Sequence, residues 1–278
     1  MAYKNLLVHL DDRKSCAGRV AAAVSLAETH GAHLTGLYIA ADPILPSNLR
    51  AEAPPEYLRM LLERQEEAMA EAEKRFKETL RKAGLKGDCR TAHVPSSLVP
   101  STISLHVRYA DLVFLGQPEP DARGEYQSSN AEDVIMASGR PALVIPYIGA
   151  GETLGRRVMV AWDGGREAAR AVADAMPLLE AAEQVEVCVI NPKSGSHGAE
   201  PGADIALHLA RHGIKVEAQH LEVRDMSVAD AILSRLADRG IDLLVMGAYG
   251  HSRIREWVLG GTTRQIFAQM TVPVLMSH

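Results

Sequence analysis

Aromatic side chains are scarce in this chain: 3 Phe, 2 Trp and 7 Tyr among 278 residues, about 4%. Ala, Val, Leu and Ile must therefore fill whatever core it forms. Its three cysteines, Cys16, Cys89 and Cys188, are odd in number and far apart. That excludes a disulfide framework and a Cys-x-x-Cys metal knuckle. Cys188 lies in the run Val185–Ile190, where a buried thiol acts as a small hydrophobe. No block of five Lys or Arg occurs, and the formal charge is −5. A duplex nucleic acid partner is thereby disfavoured, because such surfaces leave a basic signature. No apolar run approaches the ~20 residues that span a bilayer, and Met1–Val8 lacks a basic segment leading into an apolar one. These absences predict a cytoplasmic protein that binds neither membrane nor nucleic acid. Also absent are a Ser/His/Asp or Cys/His set, a Walker lysine and a His-Glu-x-x-His pair, which argues against a fast enzyme.

What is present is written twice. Asn5-Leu-Leu-Val-His-Leu-Asp11 is echoed by Arg157-Val-Met-Val-Ala-Trp-Asp163, each an apolar run ending on Asp before an Ala-rich segment. Ala110-Asp-Leu-Val-Phe-Leu-Gly116 is echoed by Ile241-Asp-Leu-Leu-Val-Met-Gly247, and Arg140–Pro146 by Val272–Met276. Three matched segments in one order indicate a duplication, with domains at 1–150 and 151–278 joined near Gly149-Ala150-Gly151. Within each half, apolar runs of strand length alternate with segments of helical spacing. Helices are expected over Ala17–His30, Gly165–Glu180, Ser97–Tyr109 and Val228–Asp238. Second strands are expected at His33–Ile39 and Val185–Asn191, and third strands at Arg90–Val94 and Val216–Leu221. This alternation predicts an α/β fold of two tandem, doubly wound, five-stranded parallel-sheet domains of Rossmann-like order 3-2-1-4-5.

The first half also carries the long segment Pro55–Ala83, apolar at helical intervals and otherwise dense in Glu, Arg and Lys. A solvated amphipathic helix packed on the sheet is the preferred reading; a partner-binding helix is the alternative. His208 and His212 have a spacing that can chelate zinc, but no third ligand is visible, so solvent-facing histidines are expected.

The most informative stretch is Gly247–Thr263, which begins where a fourth strand ends and finishes where a last helix starts. Glycine at a strand end lets backbone N–H groups approach a ligand, and a following helix N-terminus offers free donors and partial positive charge. With order 3-2-1-4-5, strands one and four are neighbours and their carboxyl ends flank the switch-point crevice. Asp163 and Gly247 would face it together, with a base lying against Ile190. His251 and Arg253 either meet phosphates or belong to a surface turn. Trp162 is either core or a crevice wall. The bland alternative is a tight turn without ligand.

The spacing Gly247-x2-Gly250-x9-Gly260 resembles the ATP-binding signature of the universal stress protein family, as do the strand-one Asp and the closing Val272-Pro-Val-Leu275. The resemblance covers essentially the whole chain, once per half. It implies an adenine nucleotide, ATP with or without Mg2+, contacted by Asp163 and cradled by Gly247, Gly250 and Gly260. Where the family carries Ser, Thr or Asn after the third glycine this chain has Gly261, and hydroxyls arrive only at Thr262 and Thr263. After Gly116 come Gln117-Pro-Glu-Pro-Asp121, with no second glycine at the required spacing, so the first half is expected to hold no nucleotide and Asp11 to cap a helix beginning near Lys14. The resemblance further implies an intrachain pseudo-dimer, with Leu143–Ile145 pairing Val274–Met276. Association of two chains as a homodimer stays open. A ligand-free scaffold acting through protein contacts is the rival function. A nicotinamide oxidoreductase is excluded, since both first strands end on Asp rather than on Gly-x-Gly-x-x-Gly.

Overall fold

Strand and helix alternate through the chain as the apolar pattern requires. The computed structural model describes residues 2–42, 54–118, 130–151, 153–192, 200–250 and 261–278. The first half runs β1 (Asn5–Leu10), α1 (Cys16–His30), β2 (His33–Ala41), α2 (Pro55–Ala83), β3 (Gly87–Val94), α3 (Val99–Val107), β4 (Leu112–Gly116), α4 (Asn130–Ser138) and β5 (Ala142–Ile145). The second runs β6 (Arg157–Ala161), α5 (Arg166–Ala181), β7 (Gln184–Ile190), α6 (Ala203–Arg211), β8 (Val216–Leu221), α7 (Val228–Arg239), β9 (Leu243–Gly247), α8 (Thr262–Gln269) and β10 (Val274–Ser277).

The strands form one ten-stranded sheet, ordered β3-β2-β1-β4-β5-β10-β9-β6-β7-β8. Each half is thus 3-2-1-4-5, as expected, and all pairs are parallel but one. At the junction β5 and β10 run antiparallel, with Ala142 opposite Met276, Leu143 opposite Leu275 and Val144 opposite Val274. Strands β5 and β10 thereby hide each other's backbone edge. Alternation of side chains splits the core into two layers. Leu6, Val8, Val158 and Val160 face one layer with residues of α1, α2 and α5; Leu7, Met159, Leu37 and Leu244 face the other with α3, α4, α7 and α8. Both layers run unbroken through the two halves. The buried carboxamide of Gln117 crosses the junction, donating to the Phe267 carbonyl at 2.8 Å and accepting from the Tyr147 amide at 3.1 Å. Tyr3 donates its hydroxyl to the Asp174 carbonyl at 2.8 Å.

The duplication extends to single hydrogen bonds. Asp111, just before β4, accepts the Lys4 and Asn5 amides at 2.7 and 2.9 Å. Asp242, just before β9, accepts the Arg156 and Arg157 amides at 3.1 and 2.9 Å. Helix α2 occupies the range expected for it, with Pro in its first turn and Gly84 as a left-handed cap. Its last turns bury Phe76 and Leu80 against β2, and ion pairs Glu71–Arg75, Glu73–Lys77 and Glu78–Lys82 line its wet face. Two element starts differ from expectation by more than one residue. Strand β3 starts at Gly87 rather than Arg90, because it pairs β2 from the Leu34–Gly87 level onward, and its polar opening carries no apolar signal. A Cβ at Gly87 would lie 2.2 Å from the Leu34 carbonyl oxygen, so glycine allows that start. Helix α3 begins at Val99 after a single 3-10 turn, with Pro100 in its first turn setting the onset. Among the described residues no helix is long and apolar enough to cross a membrane.

Leu143 is fully buried on the antiparallel seam. Leu143→Ala is expected to lower unfolding free energy by about 3 kcal/mol, measured by urea denaturation, in one cooperative transition.

Candidate functional site

The carboxyl ends of β6 and β9 lie side by side, Ala161 pairing with Met246, so the chain reverses there in the way that opens a crevice. After β6 the chain turns through Trp162, Asp163 and Gly164, the last at φ +76°, and enters α5. The exposed Asp163 carboxylate accepts the Gly165 amide at 2.8 Å. Trp162 is partly buried and packs on the core. At the end of β9, a Cβ on Gly247 would sit 2.5 Å from the Ala168 amide nitrogen and 2.7 Å from the Glu167 carbonyl carbon. Only glycine lets the first turn of α5 settle onto the strand end. Tyr249 then adopts a left-handed φ of +58°, and its amide donates to Thr263 Oγ1 at 3.4 Å. This bond ties the strand end to the start of α8. Helix α8 opens at Gly261, which has no side chain to cap its first amides, and no acid stands in its first turn, so among the described residues nothing offsets the positive end of its dipole. His278 Nδ1 donates to the Ala248 carbonyl at 3.0 Å, bracing the same segment from β10.

Of the residues read from sequence, Gly247, Gly250 and Asp163 lie together at these strand ends, Thr263 is tied to them through Tyr249, and Gly261 and Thr262 precede it at the start of α8. Thr263 is buried and Thr262 partly exposed. Ile190 ends β7 and packs against the second core layer. The next residue, Asn191, has φ +49°, so both described non-glycine residues with positive φ follow carboxyl strand ends of the second half. His251, Arg253 and Gly260 lie outside the described residues. His208 and His212 touch edge to face at 4.9 Å between centroids, and among the described residues no group of three or more His, Cys, Asp or Glu is placed to hold a metal.

Sequence reasoning missed Glu167. It is buried on the first turn of α5, and a Cβ built on Gly250 would lie 3.0 Å from its Oε2 and 3.9 Å from Asp163 Oδ2. Two carboxylates therefore flank Gly250. Burial opposes ionisation of Glu167, but the bond from Arg166 Nε at 2.5 Å and a backbone donor outweigh it and hold its pKa below the ordinary carboxylate value. Its inward position depends on the Gly247 strand end lying across from it, which the residues around it do not signal.

In the first half the equivalent crevice is filled from within. Arg19 of α1 is fully buried, donates Nε to the His9 carbonyl at 2.7 Å, and pairs through Nη2 with Asp11 at 2.8 Å. A Cβ on Gly116 would meet Arg19 Nη1 at 2.2 Å. Asp11 also accepts the Arg13 amide at 3.1 Å. It does not cap α1, which begins at Cys16 with Ser15 as its cap residue; the guanidinium takes the carboxylate instead. Burial raises the Asp11 pKa, but Arg19 and His9 overcome this and leave it lowered.

This arrangement is that of a doubly wound α/β protein with a glycine-edged switch-point crevice. Residues 155–278 match the universal stress protein family. The match falls on the second half, where the sequence resemblance placed its most specific motif. A universal stress protein from Synechocystis sp. is 29% identical over 204 residues, covering 72% of this chain and 68% of the relative. The crystal structure of a universal stress protein from Archaeoglobus fulgidus DSM 4304 superposes with a TM-score of 0.76 at 16% identity, covering 98% of this chain and 96% of the other. A functionally unknown protein from Pseudomonas aeruginosa PAO1 gives 0.61 at 12% identity, over 99% and 92%. At these identities the solved structures speak to the fold.

The filled crevice makes a pH prediction. Burial, reinforced by Arg19, pushes the His9 pKa down to about 4. The unfolded chain protonates His9 near its ordinary value of about 6.5, while the folded chain resists until about pH 4. The unfolded state thus binds more protons in this window, and stability falls as pH drops through it by up to about 1.4 kcal/mol per unit. His9→Gln should flatten the stability profile between about pH 6.5 and 4, read by urea unfolding at each pH.

Proposed function

We propose that the chain is a stress-response protein that binds ATP or another adenine nucleotide in the crevice of its second half, with at most slow hydrolysis. The observation that carries the reading is the cradle itself. Gly247 and Gly250 bare the backbone at a strand end beside Asp163, and the first turn of α8, opened by Gly261, lies within one hydrogen bond of that strand end, through Tyr249 and Thr263. In this reading Asp163 receives ribose hydroxyls, the base rests against Ile190, and the amides around Gly250, Gly261 and Thr262 take phosphate oxygens. Thr263 positions the loop through its bond to the Tyr249 amide.

Asp163 and Glu167 beside Gly250 oppose a bare polyphosphate. Mg2+ would supply the charge that neutralises the phosphates, so Mg·ATP rather than free ATP is the ligand this reading favours. Residues 1–150 and 151–278 are then two domains, of which the first holds no nucleotide because the Arg19–Asp11 pair stands in its crevice. A cytoplasmic location accompanies the reading. A second reading, a nucleotide-free scaffold, draws on the same Glu167 carboxylate, which places negative charge where a phosphate would go.

Calorimetric titration of the full chain separates the two. Saturable heat with Mg·ATP is expected, with Gly250→Val weakening it while leaving the melting temperature unchanged. Silence with ATP, ADP and AMP, with and without Mg2+, would leave the scaffold standing. Glu167→Gln is expected to tighten binding of Mg2+-free ATP by about tenfold, equivalent to about 1.4 kcal/mol, by removing the repelling charge.

A further inference from the structure

Within each half, the amino ends of the strands lie opposite that half's crevice, and they differ between the halves in a way the crevices do not explain. In the second half Glu186 of β7 stands opposite Met159 of β6 and Glu217 of β8. It is only 2% exposed, and its carboxylate is held by Arg235 and, at 3.2 Å, by Arg239, both from α7. Arg239 also reaches Glu217 at 3.6 Å. The buried acid is thus fully answered by cations, as burial demands.

In the first half the same register belongs to Thr35, opposite Leu7 of β1 and Asp88 of β3. The residue before the buried Val107 of α3 is His106, just as Arg235 precedes the buried Leu236 of α7. The carboxylate is missing, yet basic groups remain. A pocket of about 280 Å³ opens there, lined among others by Thr35, His33, Arg90, His106, Leu7 and Tyr109. Asp88 supports its floor, accepting from Thr35 Oγ1 at 2.9 Å and from Arg90 Nε at 3.1 Å, with His33 Nε2 3.6 Å away. Arg90 and two imidazoles, His33 and His106, therefore border the space with Asp88 as the neighbouring carboxylate, and apolar wall is present beside them.

We propose that this pocket binds a small carboxylate with a short hydrocarbon body, seated where Glu186 sits in the sister half. The Glu186 side chain serves as the internal template for the ligand: a carboxylate on a two-carbon stem, met by basic side chains from the helix above and by the neighbouring strand. Arg90 and His106 face the carboxylate, the Thr35 hydroxyl lies at its base, and Leu7 takes the hydrocarbon. The pocket is lined by residues of the first half alone and shares none with the Asp163 and Gly247 crevice, so it is independent of the nucleotide reading.

The test uses the full chain titrated with glutarate at constant ionic strength, read by the imidazole C–H resonances of His33 and His106, assigned with His33→Gln and His106→Gln. A saturable shift at both rings is expected. The double substitution Thr35→Glu with His106→Arg rebuilds the second half's acid–base pair inside the pocket. It should weaken glutarate at least about tenfold at His33 while the melting temperature is maintained. Should that variant not fold, Arg90→Gln carries the same expected loss. A shift that rises without saturating overturns the proposal. So does binding unchanged in these variants, or inorganic phosphate binding as tightly as glutarate.

Discussion

The antiparallel pairing of β5 with β10 is the constraint from which the rest of the architecture follows. Each half is an open sheet that would otherwise end on a bare strand, with Leu143 or Leu275 beside it. Joining those edges completes both hydrogen-bond ladders at once and lets both apolar layers pass from one half into the other. It also sets the halves in opposite directions, so the two switch-point crevices open at opposite ends of the sheet. Gln117 and Tyr3 then fix the junction with buried hydrogen bonds, which reward one relative placement of the halves and penalise a slipped one.

Within that frame the crevices have diverged around a shared rule. At Gly116 and at Gly247 the strand end is so close to the helix that follows the neighbouring strand, α1 or α5, that no side chain fits. What the helix brings to the space differs in sign: a guanidinium from Arg19, held by Asp11 and the His9 carbonyl, or a carboxylate from Glu167 held by exposed Arg166. The first arrangement neutralises itself and closes. The second leaves Asp163 exposed to solvent beside Gly250.

Much of this could be read in the residues. Buried strands announce themselves as apolar runs, and the matched Asp and Gly at their ends disclose the repeat, because those positions answer to backbone geometry rather than to packing. Pro55 and Gly84 bracket α2 for the same reason. Edge strand β3 gave a weaker signal, since Gly87, Asp88 and Cys89 are paired without being an apolar run. Arg19 and Glu167 were illegible as site residues. Each is a charged residue on a short helical turn, and nothing local distinguishes one that points inward from one that points to water. Their burial depends on which strand end lies across from them, and that is a property of the assembled sheet. Asp11 was misread as a helix cap for the same reason: its partner is eight residues on, inside the crevice.

Because the halves are joined in one chain, each always has an unlike copy as its partner. A pair of identical chains related by a twofold axis must carry the same residue in both crevices and the same residue in both strand-edge positions. Here a cation can close one crevice while an acid edges the other, and Glu186 can fill one register while Thr35 leaves the matching one open. Symmetry is kept in the backbone and released in the side chains, so the molecule offers two distinct chemistries in a fixed one-to-one ratio.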